Sequence, residues 1–131
     1  MAYTKEQQKE NRAKWVKALR SGKYKQGEGV LFDKKTKAYC CLGVLCNVAG
    51  IKPVTSKTAK GVSLFDGAEN TAPQTAMDFV GLSTEGGAFD DLEQKYYKDI
   101  TNALWKLNDE HRFTFKQIAD VIESEPKGLF K

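Results

Sequence analysis

An α+β fold, mainly α, is what the residue pattern predicts: a single compact domain of about five helices with a small β-hairpin or short antiparallel sheet. Three observations predict it. Thr4 with Gln7, and Thr114 with Gln117, each form a capping box at the head of a helix-spaced segment. Apolar residues recur at helical spacing in residues 76–80, 96–107 and 118–122. Between two β-prone runs, Val30-Leu31-Phe32 and Lys37-Ala38-Tyr39, lies the polar turn Asp33-Lys34-Lys35-Thr36. The 131 residues suit one domain with a real core, and neither a repeat nor a linker divides them.

In chain order, the first helix starts after Thr4 and runs to about Arg20, where Ser21-Gly22 stops it. Its early turns are polar, and only Trp15, Val16, Ala18 and Leu19 offer a packing surface. Residues 1–10 are therefore expected to be exposed or docked on a partner. Gly22, Gly27 and Gly29 mark irregular backbone before the hairpin. After the cysteine-rich helix a loop runs to about Gly61, and residues 62–65 form a short strand. Pro73 opens a small helix carrying Ala76, Met77 and Val80, which Gly81 ends. Residues 83–91 are expected to be loop. Tyr96, Ile100, Ala103, Leu104 and Leu107 then share one helical face, which Asn108-Asp109 closes. The last helix follows Thr114, with Phe113 and Ile118 placed as a hydrophobic staple, and Pro126 ends it.

Composition excludes several classes. Hydrophobic residues are 40% and aromatics 11%, which marks a globular chain rather than a disordered one. No apolar run approaches the roughly 18 residues of a membrane span, and the charged N-terminus lacks a signal-peptide core. Three cysteines, an odd number, fit a reducing compartment, so a cytoplasmic location is expected. Charge is uneven: residues 1–61 hold 14 Lys/Arg against 4 Asp/Glu, and residues 62–131 hold 7 against 13. Either the halves neutralise one another, or the basic half faces an anionic partner.

The segment AYCCLGVLCNVAG holds all three cysteines. As a zinc site it fails, because the spacing is Cys-Cys-x4-Cys and the chain has a single histidine. On a helix Cys41 and Cys46 lie about 140° apart, so the thiols diverge. No metal or other cofactor is expected. A disulfide between neighbours would be strained. A nucleophile is conceivable: Cys40 or Cys41 stands where a helix begins, where free N–H groups favour a thiolate, with His111 as base and Asp109 or Asn108 orienting it. The reading with most support is core. Cys41, Val44, Leu45 and Val48 make one face, and Leu42, Leu45, Cys46 and Ala49 the next. Gly43 then marks the close approach of another backbone or an aromatic ring.

The last two helices do not read as a DNA-binding pair. Their turn, residues 108–113, is long, and the second helix presents Asp120, Glu123 and Glu125, which phosphates repel. Sequence-specific DNA binding is not expected.

Taken together, ALRSGKYKQGEGVLF, AYCCLGVLCNVAG, the VGLS segment and LWKLNDEHRFTFKQIADVIE resemble a family of small uncharacterised proteins met in bacteriophages, prophages and some bacteria. The resemblance spans about residues 12–125. It brings no activity with it. It implies an accessory protein working in the cytoplasm of a bacterial cell, and it draws attention to Leu107, Asn108 and Asp109.

On this basis three roles are ordered. The first is capture of a small anionic ligand, such as a nucleotide immune signal of the host, which makes the chain an anti-defence protein. The ligand residues would be Arg20, Lys23 and Lys25 as charges, Tyr24 as a stacking platform, and Tyr39, Asn108 and Asp109 as polar contacts, beside glycines that let backbone approach phosphate. A homo-oligomer with shared pockets belongs to this role. The second is inhibition of a host protein by the basic first helix. The third, an enzyme using Cys40 or Cys41, ranks last, so a binding role is favoured over catalysis.

Overall fold

The computed structural model describes residues 3–58, 60–91 and 101–131. Helix α1 spans Lys5–Arg20, and Thr4 caps it: its hydroxyl accepts from Gln7 N–H while the Gln7 side chain accepts from Thr4 N–H. Trp15, Val16 and Leu19 are buried. The polar early turns, expected to stand free or meet a partner, are tied to the chain itself. Helix α3 (Gln74–Val80) leaves its last carbonyls unpaired, as every helix does. Gln8 donates to Asp78 O at 3.0 Å, Asn11 to Phe79 O at 2.8 Å and Arg12 to Val80 O at 2.7 Å. Tyr3 stacks edge-on against Phe79 at 5.6 Å. Thr4 to Gln7, Lys9 and Glu10 keep their exposure.

The hairpin forms where the pattern predicts it, with shorter strands: Val30, Leu31 and Lys37 stay outside them and Asp33 joins the first. Strand β2 (Phe32–Asp33) runs antiparallel to β3 (Ala38–Tyr39), with Phe32 opposite Tyr39. A third strand, β1 (Lys25–Gln26), lies on the other side of β3 and parallel to it. The glycine segment is therefore partly sheet, which its composition hid.

Helix α2 (Cys41–Val48) is the axle of the core, and Cys41 through Cys46 are buried without a break. Burying each Leu or Val is worth about 1.5–3 kcal/mol. Gly43 is there because of a backbone: a Cβ at this position would sit 1.8 Å from the Leu31 carbonyl oxygen. That oxygen also accepts from Cys40 N–H at 3.2 Å. The helix closes on Gly50, whose φ of +80° suits glycine. Ile51 N–H bonds Cys46 O and Gly50 N–H bonds Asn47 O, the paired bonds of a Schellman end.

Short strands carry the middle of the chain. Strand β4 (Val54–Thr55), in the stretch expected to be loop, pairs antiparallel with β5 (Ser63–Leu64). Residues 83–91 are not all loop either: β6 (Ala88–Asp90) pairs antiparallel with β7 (Thr101–Ala103). This corrects the helix expected over residues 96–107. Tyr96 and Ile100 lie outside the described residues. Thr101 and Asn102 are weak helix formers with a partner strand beside them. Helix α4 is only Leu104–Asp109, and its first N–H groups, from Leu104 and Trp105, donate to Gly87 O and Gly86 O.

Helix α5 (Phe115–Ser124) has its expected capping box at Thr114, and its buried face is Phe115, Ile118, Ala119, Val121 and Ile122. It packs along α1. Three ion pairs tie the two helices and their ends: Arg12 to Glu125 at 2.7 Å, Arg20 to Asp120 at 2.6 Å and Arg20 to Glu123 at 3.0 Å. Part of the basic half is thus neutralised by the acidic half. Five helices and small sheets around one core make the chain α+β, mainly α, among the described residues.

Candidate functional site: a cleft between the glycine loop and the LND turn

Two segments far apart in sequence lock together through side-chain amides. Asn108 is 3% exposed. Its Nδ2 donates to Gly27 O at 2.8 Å and to Asp109 Oδ1 at 2.7 Å. Its Oδ1 accepts from Gln26 Nε2 at 2.9 Å and from Cys41 N–H at 3.2 Å. An amide has two N–H groups and two lone pairs, so Asn108 is saturated. It leaves nothing for a ligand and fixes the floor instead. Gln26 does the matching work: its Nε2 also donates to Phe113 O, and its Oε1 accepts from Phe115 N–H. Cys41 and Phe115 are the first residues of α2 and α5. The two amides therefore cap two helix N-termini from a distance, which matters for α2, whose own N-cap residue Cys40 has no side-chain cap bond. Asp109 completes the lock, its Oδ2 accepting from Gly29 N–H at 3.1 Å.

Above this floor opens a cleft of about 490 Å³. Its walls are Lys25 to Glu28, Thr36 and Ala38, and Arg112 to Thr114. Lys25 and Arg112 are exposed cations lining it, with the carboxylate of Glu28 also present. Hydroxyls come from Thr36 and Thr114. The Thr114 hydroxyl already accepts from Gln117 N–H, which leaves its proton to donate. Arg112 is held at φ +55°, a conformation most side chains avoid.

The residues singled out in the sequence divide among several places. Lys25 and Asn108 line this cleft. Arg20 points to α5, and the hydrogen bonds it donates to Glu123 and Asp120 hold its guanidinium firmly charged. Arg20 and Lys23 line a different groove of about 560 Å³ along α1 with Lys17 and Glu123. Tyr24 and Tyr39 meet edge to face at 5.1 Å, and Tyr39 packs on Phe32 at 4.4 Å. Tyr24 also takes a hydrogen bond from Asn47 at 2.6 Å. Burial pushes the Tyr39 hydroxyl upward, with Tyr24 adding to it. Asp109 faces a third cleft, with Gly29, Asn70, Thr71 and Trp105. Arg112, Gln26, Thr36 and Thr114 were missed; the signal for Arg112 was a lone cation immediately before a capped helix.

The cysteines are silent in this geometry. All three are free thiols and buried. Burial pushes Cys40 up to about 11, against the lowering pull of the Gly43 and Leu42 N–H groups. Cys41 is pushed well above its ordinary value, and Cys46 to about 12, again chiefly by burial. The helix N-terminus does act as the sequence argument supposed, but desolvation outweighs it. The Cys41 sulfur sits 3.7 Å from Leu104 O as a weak donor. His111 follows α4, its N–H bonded to Lys106 O.

Among the described residues no helix is long and apolar enough to cross a membrane, and no group of three or more His, Cys, Asp or Glu could hold a metal ion. No curated protein and no solved structure matches the chain. One family profile does, over residues 7–126, nearly the extent of the motifs read above: the chain belongs to the family described as a domain of unknown function, DUF8296.

Proposed function

We propose that this chain is a phage-type accessory protein of the bacterial cytoplasm that binds and sequesters a small anionic ligand, of the class of nucleotide immune signals, in the cleft between residues 25–28, 36–38 and 112–114. One observation carries the reading. Lys25 and Arg112 line that cleft, and neither takes part in a salt bridge among the described residues, whereas Arg12 and Arg20 are paired with carboxylates. Two cations without a salt bridge among the described residues, over a floor fixed by Gln26 and Asn108, suit a phosphate, which Arg meets in bidentate fashion and Lys as a point charge. The threonine hydroxyls add neutral donors. A fixed floor also lowers the ordering cost of binding. The setting rests on the resemblance of its motifs to those of phage and prophage proteins.

Isothermal titration against a panel of cyclic and linear nucleotides tests the proposal. Binding that weakens about ten-fold with Lys25→Ala and again with Arg112→Ala is expected, each charge-assisted bond being worth about 1.5–3 kcal/mol. Affinity should fall with added salt. No heat across the panel at high micromolar concentration overturns the reading.

A further inference from the structure

On the other side of the Asn108–Asp109 lock lies the cleft of about 300 Å³ lined by Gly29, Asn70, Thr71, Trp105 and Asp109. We infer that it is a second, separate binding site, for an uncharged ring that carries a vicinal pair of hydroxyls: the ribose-and-base part of a nucleoside, or a pyranose sugar.

The inference starts from Trp105. It is 37% exposed, and the only other large hydrophobic residue so exposed among the described ones is Val54, which does not line this cleft. Its indole does not wander over the surface. A Cβ at Gly86 would lie 2.8 Å from Trp105 Cδ1 and 3.2 Å from Nε1, so the absence of a side chain at Gly86 is what lets the ring lie there. Trp105 N–H is bonded to Gly86 O, and Lys106 Nζ stands 5.9 Å from the ring centroid. A seated indole with an open surface is a stacking platform for a flat ring.

Asp109 sets the polarity of the ligand. Among the described residues it is the only ionisable side chain lining the cleft. Each of its oxygens already accepts one hydrogen bond, Oδ1 from Asn108 and Oδ2 from Gly29 N–H, so their places are fixed. A carboxylate has about four acceptor sites, which leaves about one on each oxygen. It can only accept, so the ligand must donate, and a phosphate is repelled. Two adjacent hydroxyls match two adjacent carboxylate oxygens. The Asn70 amide and Thr71 hydroxyl add donors and acceptors at the wall. The volume is at the lower end of the range for small-molecule pockets, which suits one nucleoside or one sugar.

This site rests on Trp105 and Asp109, not on Lys25 and Arg112, so either can fail without the other. The test uses the intrinsic fluorescence of the full chain. Trp15 is fully buried, so a change in emission reports Trp105. Titration with adenosine and with methyl glucoside should quench emission for at least one of them, and which one does identifies the source of the ring. If adenosine binds, 2′-deoxyadenosine should bind about ten-fold more weakly, because one hydroxyl is lost to Asp109. Calorimetry should show Trp105→Ala weakening binding about ten-fold while Trp105→Phe keeps most of it. Asp109→Asn should weaken it several-fold, and Asn70→Ala, on an exposed residue, provides a variant that leaves the lock intact. Circular dichroism checks that each variant is folded. The inference is overturned if neither compound changes emission or gives heat up to about 10 mM, a Kd range below which specific binding would show, or if folded Trp105→Ala binds as well as the parent.

Discussion

Helix α2 and the turn that ends α4 meet at the hydrogen bond from Cys41 N–H to the Asn108 side chain. On one side of that bond stand three thiols within seven positions, all enclosed. On the other stand two amides and a carboxylate, drawn from residues 26, 108 and 109, that border two clefts. The side with more reactive residue types has less available chemistry. Enclosure raises the thiols above the range where thiolate forms, and a helix N-terminus is too weak a field to reverse it. Asn108, by contrast, spends its whole hydrogen-bonding capacity on architecture and Gln26 three of its four bonds, and so they hold exposed neighbours such as Lys25, Arg112 and Trp105 in place. What a dense motif contributes here is packing, and what a sparse one contributes is a rim.

The largest effect should come from the packed side. Gly43→Ala drives a methyl group into the Leu31 carbonyl, backbone that cannot step aside, and should destabilise by about 3 kcal/mol or more in urea unfolding. A loss under about 1 kcal/mol would mean that α2 and the Leu31 segment shift freely, and would weaken the case for a rigid floor. Next comes Asn108→Ala. It strands Cys41 N–H in a buried place and takes one of the two acceptors from Gln26 Nε2, with an expected cost of about 2–4 kcal/mol and a matching fall in midpoint. If Asn108→Asp were tolerated as well as the parent, the donor bonds to Gly27 and Asp109 would not matter as described.

The third prediction concerns pH. Raised thiol values mean that the folded chain keeps protons that the unfolded chain releases. Stability from this source is intact below the ordinary thiol value, about 8.5, and declines as pH rises from there toward the values of about 11 and 12 for Cys40 and Cys46. Urea unfolding between about pH 8 and about pH 10 should show the decline, and Cys40→Ala should flatten it. In the same range the native thiols should react with Ellman's reagent only as fast as the chain opens. The smallest effect belongs to the rim: Lys25→Ala and Arg112→Ala should change stability by no more than about 0.5 kcal/mol, the usual limit for exposed sites, while affecting binding. A larger cost would assign these cations to the scaffold.

How far the residues announced this arrangement depends on how local each signal is. The capped starts at Thr4 and Thr114 and the pressure on Gly43 were legible, because caps and close approaches are written within a few positions. Strand β1 was not, since its only support is the pairing of Lys25 and Gln26 with Ala38 and Tyr39. Residues 101–103 fitted a helical face because Ala103, Leu104 and Leu107 do share one spacing; the strand partner at residues 88–90 that overrides it is not visible in any short window. The cleft was half legible. Lys25, Asn108 and Asp109 were found as a basic glycine loop and a recurrent turn, but their distribution over two clefts, and the entry of Arg112 and Trp105, follow from tertiary contact alone. The loss of Arg20 to Asp120 and Glu123 has the same origin.

The anchoring of α1 has a consequence in time. Its partners are late in the chain: Asp78, Phe79 and Val80 for its polar turns, and residues 120, 123 and 125 for its arginines. Synthesis proceeds at about 5–20 residues per second, so α1 waits several seconds for α5. Contacts this distant also slow folding, because the loop must close before they reward it. A helix with a long apolar stripe would be a hazard during that wait. In α1 the buried apolar surface is confined to Trp15, Val16 and Leu19, near its end, and the turns before them are polar. The polarity of those turns serves twice: it keeps the nascent helix in water, and afterwards it supplies the donors that close α3.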